Sequence, residues 1–353
     1  GYRVHTYADA CDATRAHLTF SAGERITELF FRRQPGNIIP SPIANLILSL
    51  TGQWEIRLRG RDVMKSKKEL YPVSDTAALV MLWASEYYRT KPLTRAYVNG
   101  LDLSSGEELL RCYDRICPWY HEVIINRKHF ISQTVQALTV KDDSPVTIVN
   151  LGAGFSPLAL EMVPLLSDTR RFIEIDLAGM RRKHELYEEL VPEQSGWISC
   201  IEADITEPGA LMDALLPEQD GTGLPRLIVV MEGLTYYIRR SGMEQILDTL
   251  SSLSLSQSIV FEHLKPCRLI SDERRFIPYE IFSHVRDHIA YDQMTTYSRD
   301  EIPAMLSPAF TCRYYDMSDM ERQRIGGTRY FPTADSGWLS CAVAERGALS
   351  KPV

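Results

Sequence analysis

The sequence predicts an α/β fold with a mostly parallel sheet and helices on both of its faces, and three observations support this prediction. Apolar runs alternate with helical patterns through the middle of the chain, which is typical of strand–helix–strand units. A Gly-Ala-Gly turn follows the first apolar run directly, and later runs end in an acidic residue. The predicted strands are residues 146–151, 171–176, 197–201, 224–231 and a fifth that begins at residue 259.

The glycine turn is a candidate ligand site. Gly152 and Gly154 allow the backbone to turn sharply and a ligand to approach closely, because neither carries a Cβ atom. Asp176 ends the second strand, where a carboxylate can accept hydrogen bonds from both ribose hydroxyls of an adenosine. A dinucleotide fingerprint has a third glycine three residues after the second, and Pro157 occupies that position here. The turn therefore favours a Rossmann-like sheet whose ligand has no phosphates.

Acidic residues also follow the third and fourth strands. Asp204 comes shortly after residues 197–201, and Glu232 comes directly after residues 224–231. Ligands of open parallel sheets bind at the carboxyl ends of the strands. A single carboxylate in such a place is common, but the glycine turn combined with Asp176, Asp204 and Glu232 predicts a binding site.

The composition argues against several classes of protein. The chain has 353 residues, of which 44% are apolar, so it can build a full core. The net charge of -7 and the lack of a basic block argue against nucleic-acid binding. No run approaches the ~18 apolar residues of a membrane span. The seven cysteines include no Cys-x-x-Cys pair, which predicts reduced thiols in a cytoplasmic protein and no metal site.

The segments that flank the sheet are predicted to be helical before it and mixed after it. Residues 6–31 and 43–50 favour helices, so residues 1–70 form a predicted helical cap on a main domain of residues 71–353. The chain begins with glycine rather than methionine, which predicts either a trimmed start or a domain excised from a longer protein. Further helices are predicted at residues 74–89, 106–116 and 121–139, and late strands at residues 311–315 and 338–344.

The motifs of the central region resemble those of one known family. VNLGAGFSPLAL, FIEIDL, EADI and VVMEGLTYYI occur in this order and at this spacing. Together they resemble the leucine carboxyl methyltransferase family, whose members use S-adenosylmethionine (SAM) to methylate carboxyl or hydroxyl oxygens. The resemblance runs from about Thr76 to Tyr237. It implies a class I methyltransferase fold with a seven-stranded sheet, SAM as cofactor and S-adenosylhomocysteine (SAH) as product.

The resemblance assigns residues to the parts of SAM. It implies that Gly152 and Gly154 lie against the methionine part and that Asp176 holds the ribose. It further implies that Asp204 and Ile205 lie beside the adenine.

Two charged residues would hold the amino acid end of SAM. The resemblance matches Glu232 to an acid that faces the amino group of the cofactor. It matches Arg127 to an arginine that grips the methionine carboxylate, which a guanidinium can do in bidentate fashion. The residue pattern alone favours a different interpretation, in which Asn126-Arg127-Lys128-His129 is a solvent-exposed face of the predicted helix.

The chain departs from the pattern of the family at two points. Residues 78–82 lack the lysine with which the phosphatase-directed members contact the methionine carboxylate, and Ser132 stands near the place where several members have a second arginine. The chain therefore resembles the small-molecule branch more closely. The predicted substrate is a small carboxylate or alcohol, either free or bound to a carrier protein in an assembly line.

The acceptor atom decides whether the reaction needs a base. A carboxylate is already ionised near neutral pH, whereas an alcohol needs a base beside it. Tyr237 and His263 are the candidate catalytic residues, because they follow the fourth and fifth strands at the carboxyl edge of the sheet. His121 is a weaker candidate. Arg324 and Arg329 could bind an anionic substrate, although solvent-exposed loop charges explain them as well.

Two other functions remain open from the sequence. An NAD(P)-dependent oxidoreductase could use the same kind of sheet, although Pro157 and Asp204 argue against it. A methyltransferase-like module could bind a partner without catalysis. Such a module would be expected to have lost its SAM contacts, and the residues of those contacts are present here.

Overall fold

The structure is a computed structural model. It describes residues 70–215, 226–252, 256–288 and 294–346, without the side chains of residues 284–288, and the backbone of four strands nearer the N-terminus. The chain divides into two compact units, Gly1–Glu69 and Leu70–Val353.

The described part of the N-terminal unit is an antiparallel sheet. Its strands pair in the order β1-β2-β3-β4. Their bounds are β1 Tyr2–Ala8, β2 Thr14–Ala22, β3 Arg25–Arg33 and β4 Trp54–Arg57.

The prediction of a helix over residues 6–31, and with it that part of the helical cap, is therefore wrong. Residues 14–22 (TRAHLTFSA) alternate between polar and apolar side chains after Thr14, which is the period of a strand. Ala22 pairs with Arg25 across a two-residue connection that begins with glycine, a recognised hairpin signal. The predicted helix at residues 43–50 lies outside the described residues.

The main unit is built on a seven-stranded sheet, as predicted. A short parallel pair, β5 Tyr71–Pro72 and β6 Leu101–Asp102, precedes this sheet. The strand order is β12-β13-β11-β10-β7-β8-β9, and the five strands from β11 to β9 are parallel. The bounds are β7 Val146–Leu151, β8 Arg170–Asp176, β9 Ile198–Glu202, β10 Arg226–Met231, β11 Gln257–Leu264, β12 Thr311–Asp316 and β13 Leu339–Arg346.

The two late strands close one side of the sheet. β13 runs antiparallel to both β11 and β12. The sequence predicted both strands, and the sheet places β13 between its two partners.

Helices surround the sheet in the main unit. The sequence predicted one helix over residues 74–89, and the structure divides it at Ala84 into α1 and α2. It did not predict α3 or α12. The bounds are α1 Asp75–Trp83, α2 Ser85–Arg89, α3 Pro92–Val98, α4 Glu107–Ile116, α5 Tyr120–Thr139, α6 Leu158–Met162, α7 Met180–Leu190, α8 Pro208–Leu215, α9 Arg240–Ser252, α10 Phe276–His288, α11 Glu301–Met305 and α12 Met317–Ile325.

Both faces of the sheet are buried under helices. Every residue of β10 is buried, which explains why it is a continuous apolar run after Arg226 rather than an alternating one. Ile228 packs in the same core cluster as residues of α5, and Val229 packs in the other cluster with residues of α9. We call these the α5 face and the α9 face. None of the helices in the described ranges is long and apolar enough to cross a membrane.

Candidate functional site

A cavity of about 300 Å³ lies at the carboxyl ends of the parallel strands. Side chains of α1, α4, α5 and α10 line it together with the glycine turn, the last residue of β8 and the residues that follow β10. The cavity brings together five of the residues predicted from sequence, which are Arg127, Gly154, Asp176, Glu232 and Tyr237.

The glycine turn has a backbone conformation that side chains disfavour. Gly152 has a φ of 63° and Gly154 a φ of 46°, both in the left-handed region. A Cβ atom on Gly152 would lie 2.5 Å from Leu234 Cδ1, so this glycine is needed for packing. A Cβ atom on Gly154 would meet no atom within 4 Å. Gly154 therefore leaves open space beside the backbone, on the wall of the cavity.

Asp176 is fixed at the end of β8 by two backbone N–H groups. Gly154 N–H donates to Oδ2 and Leu177 N–H donates to Oδ1, each at 2.7 Å. A carboxylate oxygen can accept two hydrogen bonds, and each oxygen of Asp176 accepts one from these backbone groups. Each therefore keeps the capacity to accept a hydrogen bond from a ligand. The contact with Gly154 joins the ends of β7 and β8 at the cavity.

A buried ion pair supports the same turn from outside the cavity. Lys183 Nζ on α7 lies 2.7 Å from Glu174 Oε2, and both side chains have 0% exposure. Lys183 also donates to the carbonyl oxygen of Gly154 at 2.9 Å. Glu174 accepts a further hydrogen bond from Tyr187 Oη at 3.0 Å. Burial raises the pKa of Glu174, although the Lys183 cation acts in the opposite direction.

Two cations of α5 meet a carboxylate on the cavity wall. Lys128 Nζ lies 2.8 Å from Glu232 Oε1, and Arg127 Nη2 lies 3.1 Å from the same oxygen. Both basic side chains are buried, so the interpretation of this group as a solvent-exposed face is wrong for them. Lys128 is four residues after Ile124 and three before Ile131, which puts it on the apolar side of the helix.

Glu262 completes this charge cluster, which we define as Arg127, Lys128, Glu232 and Glu262. Its Oε1 lies 3.3 Å from Arg127 Nη1, and its Oε2 accepts a 2.5 Å hydrogen bond from Gly233 N–H. Burial acts to raise the pKa of Glu232, but the Lys128 and Arg127 cations hold that pKa below its usual value. Burial raises the pKa of Glu262. Arg127 is therefore held between two carboxylates before any ligand binds.

Three of the predicted cofactor residues do not line the cavity. Gly152 packs against Leu234, as described above. Asp204 is exposed, and its Oδ1 accepts hydrogen bonds from Thr206 N–H and Thr206 Oγ1, at 2.9 and 2.7 Å. Ile205 is buried in the core of the α9 face. Asp204 and Ile205 follow β9, beside the end of β8.

His263 lies away from the cavity. Side chains alternate along β11, so Glu262 reaches Arg127 on the α5 face and His263 lies with Phe261 on the other face. Their ring centroids are 6.1 Å apart. Burial lowers the pKa of His263 to about 4. We therefore withdraw His263 as a candidate catalytic residue.

Tyr237 lines the cavity, but its environment does not make it a base. Burial raises its pKa well above the usual range, with Arg127 acting in the opposite direction. Its hydroxyl therefore keeps its proton at neutral pH and can donate a hydrogen bond.

The remaining polar candidates have structural contacts. Arg324 lies in α12 and contacts Glu122 and Asn126 of α5, with Nε 2.5 Å from Asn126 Oδ1. His121 lies beside Glu122. The backbone N–H of Arg329 donates to the buried Glu321 at 2.9 Å. These contacts hold α12 and the following loop near α5.

Sequence reasoning missed Lys128, Glu262 and Lys183. The helical spacing of α5 could have identified Lys128, as shown above. Glu262 lies two residues before the end of β11, and acids at the carboxyl ends of other strands are among the predicted site residues. Lys183 had no such signal, because its contacts with Glu174 and with the carbonyl oxygen of Gly154 arise only when α7 packs against the sheet.

Two solved structures share this fold across most of their length. A methyltransferase candidate from Thermobifida fusca YX has a TM-score of 0.52 and 12% identity, and the alignment covers 80% of this chain and 98% of that one. A DUF574 family protein from Streptomyces avermitilis MA-4680 has a TM-score of 0.54 and 13% identity, with 77% and 98% covered. At such identities the likeness concerns the fold alone.

Sequence comparison identifies the family. A search of curated proteins found no match. The model of the leucine carboxyl methyltransferase family matches residues 73–251, more than half of the 353-residue chain. This segment contains Arg127, the glycine turn, Asp176 and Glu232. Family and fold together support methyl transfer that depends on SAM, and the chain belongs to the leucine carboxyl methyltransferase family.

Proposed function

We propose that this protein is a SAM-dependent O-methyltransferase that methylates the carboxylate of a small acid. The observation that carries the proposal is the convergence of Arg127 and Lys128 on Glu232 at the wall of a cavity that also contains Gly154 and Asp176.

These residues fit the amino acid end of SAM. The methionine part of SAM carries both a carboxylate and an ammonium group. Arg127 and Lys128 can bind the carboxylate, and Glu232 can accept hydrogen bonds from the ammonium group. The open space beside Gly154 admits the chain that joins them to the ribose. The oxygens of Asp176 retain capacity for the ribose hydroxyls.

The lining of the cavity favours a carboxylate acceptor over an alcohol. SAM, when bound, supplies a methyl group on a sulfonium, and transfer to a carboxylate oxygen forms an ester, breaks the carbon–sulfur bond and requires no proton transfer. An alcohol would need a base. Among the described residues of the cavity wall, Asp176 is engaged by backbone N–H groups and Glu232 by two cations. The pKa of Tyr237 is raised by burial.

The protein itself would act mainly by positioning. Charge-assisted contacts at the methionine end fix one reactant, and the walls of the cavity fix the other. Holding two reactants in line and in contact can supply a large part of the rate enhancement.

Two measurements test the proposal. Isothermal titration with SAH, with NAD as a parallel control, should show micromolar binding of SAH alone. Binding of NAD alone would contradict the proposal, and binding of neither would favour a partner-binding module.

Turnover with tritiated methyl-SAM and a panel of acids and phenols distinguishes the acceptor atoms. A methyl ester releases labelled methanol in alkali, whereas a methyl ether does not. A labelled product that releases no methanol in alkali would contradict carboxylate methylation. If only acids tethered to a carrier protein are methylated, the substrate is carrier-bound rather than a free acid.

A further inference from the structure

We propose, on the basis of the function proposed above, that the methyl acceptor is a small aromatic carboxylic acid whose ring binds among aromatic side chains of the cavity. We call these residues the aromatic wall. They are Trp83, Tyr113, Tyr120, Tyr236, Tyr237 and Phe282.

One half of the aromatic wall comes from α1, α4 and α5. Trp83 stacks on Tyr113, with ring centroids 5.8 Å apart and planes inclined by 21°. It also packs on Tyr120 at 4.4 Å and 33°. All three side chains are buried. Because packed neighbours hold these rings, they offer a preformed surface to a ligand.

The other half comes from the turn after β10 and from α10. The Tyr236 ring lies 4.6 Å from that of Tyr237, at an angle of 60°. It lies 5.4 Å from that of Phe282, edge-on at 65°. Rings favour offset-stacked and edge-to-face neighbours. A planar ring between the two halves could make both kinds of contact, whereas a flexible chain could make neither.

The part of the cavity lined by the aromatic wall has, among the described residues, no charged side chain that could pair with a second ionic group on the acceptor. The charged side chains on the described cavity wall are Arg127, Lys128, Asp176 and Glu232, which we assign to the cofactor. Burial raises the pKa values of Tyr120, Tyr236 and Tyr237, so their hydroxyls are neutral. Burying an unpaired charge is costly. The acceptor should therefore carry no charge besides its carboxylate.

The Tyr236 hydroxyl adjoins the methionine end of the cavity. A Cβ atom on Gly233 would lie 3.7 Å from Tyr236 Oη and 3.9 Å from Arg127 Nη1, so both groups border one small space. A neutral hydroxyl there can donate to one oxygen of the acceptor carboxylate and leave the other to attack the methyl group. The cavity of about 300 Å³ must also hold part of the cofactor, which favours a small acceptor.

A comparison of the affinities of matched aromatic and saturated acids tests this inference. The full chain, saturated with SAH, is titrated with phenylacetate and 3-phenylpropionate. Cyclohexylacetate and 3-cyclohexylpropionate serve as saturated partners of nearly equal size. We expect the aromatic acids to bind about tenfold more tightly. Equal or tighter binding of the saturated acids, or no binding of any acid while SAH binds, would overturn the inference. Failure of SAH itself to bind would instead overturn the proposed function.

Two variants of α10 test whether the aromatic wall contacts the ring of the acceptor. Phe282→Leu removes a ring from the aromatic wall, and Phe276→Leu makes the same change on an exposed side chain of the same helix. We expect the preference for phenylacetate over cyclohexylacetate to fall below about threefold in Phe282→Leu and to persist in Phe276→Leu. The affinity for SAH should be unchanged in both variants. An undiminished preference in Phe282→Leu would overturn the assignment of the ring to this wall.

Discussion

Lys183 Nζ donates to the carbonyl oxygen of Gly154 at 2.9 Å while it pairs with Glu174 at 2.7 Å. The lysine therefore joins the start of α7 to the glycine turn and to the middle of β8. Gly154 N–H in turn donates to Asp176, at the end of the same strand. One buried side chain thus holds the backbone that presents both Gly154 and Asp176 to the cavity.

Replacing this lysine should reduce both stability and cofactor affinity. Lys183→Met leaves Glu174 buried without its cation, which should lower the free energy of unfolding by about 3–5 kcal/mol. It also releases the Gly154 carbonyl, so we expect SAH affinity to fall about tenfold. Urea unfolding and isothermal titration measure the two effects.

A double variant separates the two roles of Lys183. Lys183→Met with Glu174→Leu removes both charges, and much of the lost stability should return. SAH affinity should stay low, because the contact with Gly154 remains absent. If affinity recovered together with stability, Lys183 would not position the turn.

Arg127 should determine affinity for the amino acid end of the cofactor. Arg127→Ala should weaken SAH binding by roughly 10- to 100-fold, because a charge-assisted bidentate contact is lost. Arg127→Lys keeps the positive charge but lacks the paired N–H groups of a guanidinium, so its affinity for SAH should lie between those of the unmodified chain and of Arg127→Ala. Arg89→Ala, on an exposed side chain of α2, is the matched control and should bind SAH normally.

5′-Methylthioadenosine shows which part of the cofactor Arg127 contacts, because it lacks the amino acid. Its affinity should be the same in Arg127→Ala and in the unmodified chain. Equal SAH affinity in these two proteins would remove Arg127 from the binding site.

Asp176 should act on the ribose end and therefore show a different pattern. Asp176→Ala should weaken SAH and 5′-methylthioadenosine alike, by about tenfold, because both carry the ribose hydroxyls. Asp272→Ala, which removes an exposed carboxylate, is the control. A loss confined to SAH would contradict the ribose assignment. Circular dichroism should show that both variants remain folded.

His263 should make stability depend on pH between about 6.5 and 4. Burial lowers its pKa from 6.5 to about 4, so the unfolded chain binds the proton more tightly than the folded one. Its contribution to stability is complete above pH 6.5 and is lost as pH falls through the folded pKa, by about 3 kcal/mol in all.

Urea unfolding at pH 7 and pH 4.5 measures this dependence. His263→Phe should reduce the difference between the two free energies of unfolding, whereas His121→Gln, on a more exposed side chain, should retain it. An unchanged difference in His263→Phe would assign the pH dependence to other groups. Activity at pH 7 should not require the imidazole, since His263 lies on the α9 face.

The prediction from sequence was most accurate where a feature depends on neighbours in the chain. The positions of the main-sheet strands along the chain, the glycine turn and the place of Asp176 at a strand end follow from local patterns, and all three were predicted. The prediction of a helix over residues 6–31 was wrong, because the alternation in residues 14–22 is the period of a strand. Whether those strands form depends on pairing with one another, which local helical periodicity does not report.

The sequence by itself determined the parallel sheet and the side of it on which ligand groups collect, because apolar periodicity and strand ends are local properties. Only the tertiary structure decided which charges meet. Arg127 and Glu262 are 135 positions apart, and their contact depends on how α5 packs on β11. The structure also decided that Glu262 and not His263 reaches Arg127. Successive side chains of a strand point to opposite faces, so a change of register by one residue would have exchanged them.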